Sequence, residues 1–267
     1  MCELLGMSAS TPTDICFSIS GLLKRGGGCG PHKDGWGIVF YEDRGIREFR
    51  DPLPGCTSEV ANLICRYPIH SPLVISHIRK ANSGRVCLAN THPFIRELWG
   101  QYWSFAHNGQ LKGVKKLALG RYRPVGTTDS EHAFCWLLHE VEQQFAKKPS
   151  SAVLWRFIES RLRELAQYGV LNVLMSDSRE LACFCTTKLH WTTRRAPFGE
   201  ARMKDYELQV NFLPLAKPGD VTTVICTEPL TSNEEWHAFA PQEFRVFRAG
   251  ETVRHATQRA QKARALA

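Results

Sequence analysis

Met1-Cys2-Glu3-Leu4-Leu5-Gly6-Met7-Ser8-Ala9 opens the chain, and the reading of this stretch governs the rest. From Cys2 to Ala9 it is a short, mostly apolar run of strand length with a cysteine at its very start. Met-aminopeptidases remove an initiator Met when the next side chain is small, so the expected mature chain begins at Cys2. One residue then carries both a thiol and a free α-amine. The amine has an unperturbed pKa of about 7.7–8.0, so near neutral pH part of it is free to accept a proton. It can serve as general base for its own thiol, directly or through a water, with no separate histidine. Many chains begin Met-Cys by chance, so the segments further along have to carry the argument.

Beyond the first run, Thr11-Pro12-Thr13-Asp14 reads as a helix start, with Thr11 as N-cap, Pro12 at the first helical position and Asp14 in the first turn. Ile15, Ile19, Leu22 and Leu23 supply its apolar face, and Gly26-Gly27-Gly28 ends it. Strands are expected at 35–41, 47–50, 73–78 and 102–106, with a short helix at 57–66. Two helices follow at 129–145 and 151–168, the second closed by Gly169, and then strands at 171–176, 181–186, 221–226 and 244–247. Strands, then two helices, then strands is a segregated α+β pattern, not a regular βαβ alternation. A four-layer αββα sandwich, two mostly antiparallel sheets between helix layers, satisfies it. No internal repeat or low-complexity linker divides the chain. The expectation is one domain over residues 1–252 and a basic C-terminal tail over 253–267.

Composition narrows the function classes. The 267 residues are 43% hydrophobic and 22% charged, enough for a sizeable core without disulfides or a structural metal. No apolar run approaches the roughly 18 residues of a spanning helix, and no basic segment precedes an apolar one at the N-terminus. No transmembrane segment, membrane partner or secretory leader is therefore expected, and a cytoplasmic location follows. The ten cysteines are expected to be mostly buried small hydrophobes, and Cys183 and Cys185 to share one face of a strand. The net charge of +8 includes Arg254, Arg259, Lys262 and Arg264 in the tail. No helix-turn-helix, zinc-finger or RNA-recognition signature accompanies it, so a solvated surface, not a nucleic-acid partner, is expected.

Four segments carry candidate chemistry. In His77-Ile78-Arg79-Lys80-Ala81-Asn82-Ser83-Gly84, an arginine where a strand runs into a loop can offer its planar fork to a carboxylate, or sit in an internal salt bridge. In Ala106-His107-Asn108-Gly109-Gln110-Leu111, Asn-Gly is either a type I′ hairpin turn or an oxyanion hole built from the Asn NH2 and the Gly N–H. Thr128-Asp129-Ser130-Glu131 is a capping box; Asp129, in the first helical turn, is also placed to pair with an ammonium. His77, His92 and His107 recur at fifteen-residue intervals, but no carboxylate or water-activating motif accompanies them, and no metal is expected.

Taken in order, Cys2, His77-x-Arg79, Asn90-Thr91-His92-Pro93, His107-Asn108-Gly109 and Thr128-Asp129-Ser130-Glu131 resemble the class II glutamine amidotransferases of the N-terminal-nucleophile hydrolase superfamily. The opening segment and Lys33-Asp34-Gly35-Trp36-Gly37 look closer still to the standalone YafJ-like members. The resemblance implies the αββα fold and a set of roles. Cys2 would be nucleophile and base, and Asn108 with the Gly109 N–H the oxyanion hole. Arg79 would hold the α-carboxylate of glutamine and Asp129 its α-amine, with Asn82 and His107 completing the substrate site. Chemistry would run through a tetrahedral adduct, loss of ammonia, a γ-glutamyl thioester and hydrolysis, with no cofactor. Many members fused to a synthase have Thr-His where this chain has Asn82-Ser83, so a modified or larger γ-glutamyl compound is an expected alternative to free glutamine. No synthase domain is recognisable, so an ammonia acceptor would be a separate polypeptide. The reading from a different class is a non-catalytic glutamine-sensing module that retains the fold.

Overall fold

In a computed structural model, which describes residues 2–81 and 84–257, β1 (Glu3–Thr13) is buried along its first seven residues. It pairs antiparallel with β4 (Ser71–Ile78) on one side and β12 (Val221–Cys226) on the other. These strands form the middle of a seven-stranded sheet in the order β13 (His237–Ala238), β9 (His190–Arg195), β12, β1, β4, β2 (Trp36–Glu42), β3 (Gly45–Asp51). A six-stranded sheet runs β15 (Glu251–Ala256), β14 (Glu243–Arg248), β8 (Leu181–Cys185), β7 (Gly169–Ser176), β6 (Gln101–Leu111), β5 (Phe94–Leu98). β10 (Glu200–Arg202) and β11 (Gln209–Asn211) make a separate ribbon.

Period-two alternation sorts the side chains into layers. Leu5 and Met7 pack outward with Ile38 under helices α1 (Cys16–Arg25) and α2 (Glu59–Arg66). Phe105, Val173 and Phe184 pack outward from the second sheet under α3 (Asp129–Gln144) and α4 (Ser151–Leu165). Leu4, Val39, Ile75, Ala106, Leu174 and Leu181 meet between the sheets. Each fully buried Leu, Val or Ile of this middle layer contributes about 1.5–3 kcal/mol of transfer free energy, which holds the sheets face to face. The result is the expected α+β sandwich in four αββα layers. Cys183 and Cys185 share the inter-sheet layer, with Phe184 on the opposite face, and all three are fully buried.

One local reading changes. β1 continues through Thr13, and α1 begins only at Cys16, after Ile15, so Thr11 is not its N-cap. Thr13 pairs with Ser71 beyond an irregularity in the ladder, and Asp14 Oδ1 takes the Cys16 N–H at 3.0 Å, so long-range strand pairing displaces the local cap. The expected domain boundary at residue 252 falls inside β15, and residues 258–267 of the expected tail lie outside the described residues. No helix of the described residues is long and apolar enough to cross a membrane.

Candidate active site

The site lies where β1 begins and β4 ends. Cys2 stands immediately before β1, and its Sγ receives the Lys80 backbone N–H at 3.3 Å and lies 3.5 Å from the Lys80 carbonyl. Burial pushes the thiol pKa up, while the Lys80 N–H and the Arg79 charge pull it down; the upward push wins. The resting sulfur is therefore a thiol, and attack on a carbonyl needs a base to take its proton.

Arg79 follows β4 and is buried. Its N–H donates to Gly35 O (2.8 Å), and its carbonyl accepts from Asp34 N (3.1 Å). The Asp34 carboxylate then takes the Ala81 N–H at 2.7 Å. The segment ahead of β2 is thus a cradle for the loop that follows β4, which gives Asp34 a role its sequence context did not reveal. The Arg79 guanidinium donates through Nη1 to Arg85 O at 3.0 Å. Asn82, expected beside the substrate carboxylate, lies outside the described residues.

Asn108 and Gly109 are inside β6, not in a hairpin turn: they face Asn172 and Leu171 of β7 in a continuous antiparallel ladder. The Asn-Gly turn propensity yields to cross-strand pairing. Asn108 is fully buried, yet neither Oδ1 nor Nδ2 has a hydrogen-bond partner among the described residues. An unmet buried polar group costs about 1–3 kcal/mol, so an amide left in this condition between His107 and Gly109, two residues that line a cleft, is a candidate ligand contact. Asn172 fixes the ladder here: its Nδ2 donates to Asn108 O (3.1 Å), and its Oδ1 collects the N–H groups of Thr186, Thr187 and Lys188. Only glycine fits at 109, because a Cβ there would lie 1.9 Å from Val170 O. Leu171 gives its N–H to Thr186 Oγ1, and β5 pairs with β6 only as far as Phe105.

His107 is buried with both ring nitrogens engaged, Nε2 at 3.0 Å from Val170 O and Nδ1 at 2.8 Å from Ser130 Oγ. The carbonyl must receive a proton from Nε2, so Nδ1 accepts from the Ser130 hydroxyl in the neutral ring. Burial lowers its pKa and keeps it neutral. His77 and His92, with rings 4.2 Å apart, are likewise buried and held neutral by desolvation, His77 down to about 3.

At the start of α3, Thr128 Oγ1 accepts the Glu131 N–H at 3.1 Å, half of the expected capping box. The Glu131 carboxylate turns instead to the N–H groups of Val125 (3.0 Å) and Gly126 (2.8 Å) and to Arg96 (2.6 Å). Asp129 places Oδ2 on the Leu111 N–H at 2.7 Å, tying the helix start to the end of β6. A single cleft is lined by Cys2, Arg79, Ala81, His107, Gly109 and Asp129, together with neighbouring residues.

The family model for "Glutamine amidotransferases class-II" matches residues 1–266. The chain belongs to the class-II glutamine amidotransferases. This amidotransferase chain is 56% identical over 254 residues to the YafJ protein of Escherichia coli (strain K12), covering 95% of this chain and 100% of that one. A 2.0 Å crystal structure of a predicted glutamine amidotransferase from Pseudomonas aeruginosa PA01 is 50% identical, with a TM-score of 0.77 over 95% of this chain and 100% of that chain. Glutamine phosphoribosylpyrophosphate amidotransferase of B. subtilis shares the fold, with a TM-score of 0.60 at 15% identity, over 96% of this chain and 49% of that one. The family resemblance and the N-terminal-nucleophile hydrolase fold read from the sequence are both borne out. Glutamine amide hydrolysis or transfer is the chemistry of this class of amidotransferase.

Proposed function

We propose that this amidotransferase hydrolyses the side-chain amide of glutamine, or of a γ-glutamyl compound, through a thioester on Cys2. With Met1 removed, the Cys2 α-amine takes the thiol proton as Sγ attacks the amide carbon. The carbonyl π electrons move to oxygen, and the oxyanion is met by Asn108 Nδ2 and the Gly109 N–H. Leu171 spends its own N–H on Thr186, which marks Gly109–Leu171 as a non-hydrogen-bonded pair and turns the Gly109 N–H away from β7. The protonated amine then delivers its proton to the departing nitrogen, ammonia leaves, and the γ-glutamyl thioester remains. Water, deprotonated by the same amine, attacks the thioester and releases glutamate and the free thiol. Arg79 holds the α-carboxylate and Asp129 the α-ammonium, and Asn82 is assigned to the carboxylate side. His107, with both ring nitrogens already used, acts as a positioning residue between β6 and α3. Ammonia released here is available to an acceptor enzyme on a separate polypeptide.

The observation that supports this most is the fully buried Asn108 amide, without a hydrogen-bond partner among the described residues, between His107 and Gly109, which line the cleft together with Cys2, Arg79 and Asp129. Intact-mass analysis before and after 6-diazo-5-oxo-norleucine, with Cys2→Ala as control, tests it. The expected result is loss of the Met1 mass and one adduct per chain, absent in the variant. A processed wild-type chain that stays unlabelled refutes a glutamine-shaped pocket and favours the glutamine-sensing or larger-substrate readings.

A further inference from the structure

The two ends of the proposed substrate clamp belong to different sheets. Arg79 is anchored through Gly35 and Asp34 to the segment before β2, in the first sheet. Asp129 is anchored through the Leu111 N–H to β6, in the second. The distance between guanidinium and carboxylate thus depends on what joins these two anchors directly.

Asn90 joins them. It ends a short 3-10 turn, Leu88–Asn90, and is 1% exposed. Its Nδ2 donates at 3.0 Å to Arg85 O, the same carbonyl that receives Arg79 Nη1 at 3.0 Å. Its Oδ1 accepts the Thr127 N–H at 2.7 Å, two residues ahead of Asp129, and Nδ2 also reaches Thr127 Oγ1 at 3.2 Å. The convergence is tight. A Cβ on Gly84 would lie 3.6 Å from Asn90 Nδ2 and 3.7 Å from both Arg79 Nη2 and Thr127 Oγ1. A Cβ on Gly126 would lie 2.3 Å from Asn90 Oδ1. One planar amide therefore spans the gap: Nδ2 reaches Arg85 O on the Arg79 side and Thr127 Oγ1 on the Asp129 side, and Oδ1 takes the Thr127 N–H. Neither end touches Cys2, Asn108 or Gly109.

We infer that Asn90 is a positioning residue that sets the span between Arg79 and Asp129, and so matches the cleft to a substrate bearing both an α-carboxylate and an α-amine. The inference rests on the clamp roles given above to those two residues. It separates recognition from chemistry: loosening the span weakens substrates that use both ends and spares those that use one.

The test compares glutamine with glutaramate, the same skeleton without the α-amine, on the processed enzyme. Asn90→Ala is expected to raise KM for glutamine about tenfold, with kcat within about twofold, and to lower the glutamine-to-glutaramate ratio of kcat/KM by a similar factor. The rate of Cys2 alkylation by iodoacetamide, which carries no amino-acid head group, should stay unchanged. Asn90→Asp keeps the shape but has no N–H for Arg85, and stands in if the alanine variant does not fold; the same loss of preference is expected. Equal losses for both substrates would mark Asn90 as merely structural and overturn the inference. A wild-type enzyme that hydrolyses both substrates equally well would overturn the clamp itself, before any substitution is made.

Discussion

The two walls of the cleft are built by opposite means. On the β6–α3 wall, Asn108, Gly109 and Asp129 sit on regular elements, and their backbones are fixed by the β6–β7 ladder and by the Thr128 cap. On the β4 wall, Arg79, Lys80 and Ala81 follow the end of a strand and are held by individual bonds: Asp34 and Gly35 to the Arg79 backbone, Arg79 Nη1 to Arg85 O, and Asp34 to Ala81. A ladder resists the loss of any one contact, whereas a loop held at a few points shifts when one is removed. The difference suits the proposed division of labour. In the proposed mechanism charge develops against the rigid wall, where preorganised donors lower a barrier most, and the substrate α-carboxylate is gripped by the wall whose shape is more easily changed. Substrate range among standalone relatives is then expected to vary at the β4 wall.

Breaking the rigid wall should have the largest effect. Asn108→Ala is expected to lower kcat by about 10²–10³ with little change in KM, as for loss of one oxyanion donor. Because the Asn108 amide has no hydrogen-bond partner among the described residues, the same substitution should not lower the thermal midpoint. A stable variant with wild-type kcat would remove Asn108 from the chemistry. On the other wall, Asp34→Ala frees the Ala81 N–H from a charged acceptor worth roughly 1.5–3 kcal/mol. The expected outcome is a KM for glutamine raised roughly 10- to 100-fold at nearly constant kcat. A fall in kcat at constant KM would mean that the β4 loop acts in the transition state, and the contrast between the walls would fail.

The smallest expected effect is on stability, and it asks whether the walls come apart together. His77, on β4, has its pKa lowered by burial to about 3. Its unfolded form, near 6.5, binds a proton that the folded form refuses, so stability falls as pH drops from about 6.5 towards 3. The slope is about 1.4 kcal/mol per pH unit for this residue. His107, on β6, is shifted in the same direction and adds to it. Urea midpoints at pH 6 and pH 5 should differ less in His77→Phe than in the wild type. An unchanged pH slope in the variant would show that His77 does not stay neutral in the folded state.

Much of this architecture was legible in the chain. β1, β2, β4 and β12 are apolar runs with turn residues between them, and α3 and α4 carry recognisable starts, so the layer pattern followed. Strands such as β9, with the sequence His-Trp-Thr-Thr-Arg-Arg, and β15, mostly exposed, carry no apolar alternation and exist because a partner strand holds them. The same cause extended β1 past Pro12 and kept Asn108-Gly109 in a strand: local preference lost to pairing partners far along the chain. The candidate site was found through its order of motifs. Its supporting residues, Asp34, Asn90 and Ser130, stood inside those motifs, but their work is done across space by bonds to Ala81, Arg85, Thr127 and His107, which no local spacing encodes. Asn172 lay outside every motif.

The pairing of Leu5 with Cys226 in the β1–β12 ladder also sets a clock. During synthesis at about 5–20 residues per second, roughly 10–45 seconds separate the emergence of these two partners from the ribosome. Until then one flank of β1 lacks its partner strand. The other flank needs only β4, and Cys2 rests against Lys80 just beyond the end of that strand. The two sides of β1 are thus completed far apart in time, the side that seats Cys2 early and the side that β12 covers late.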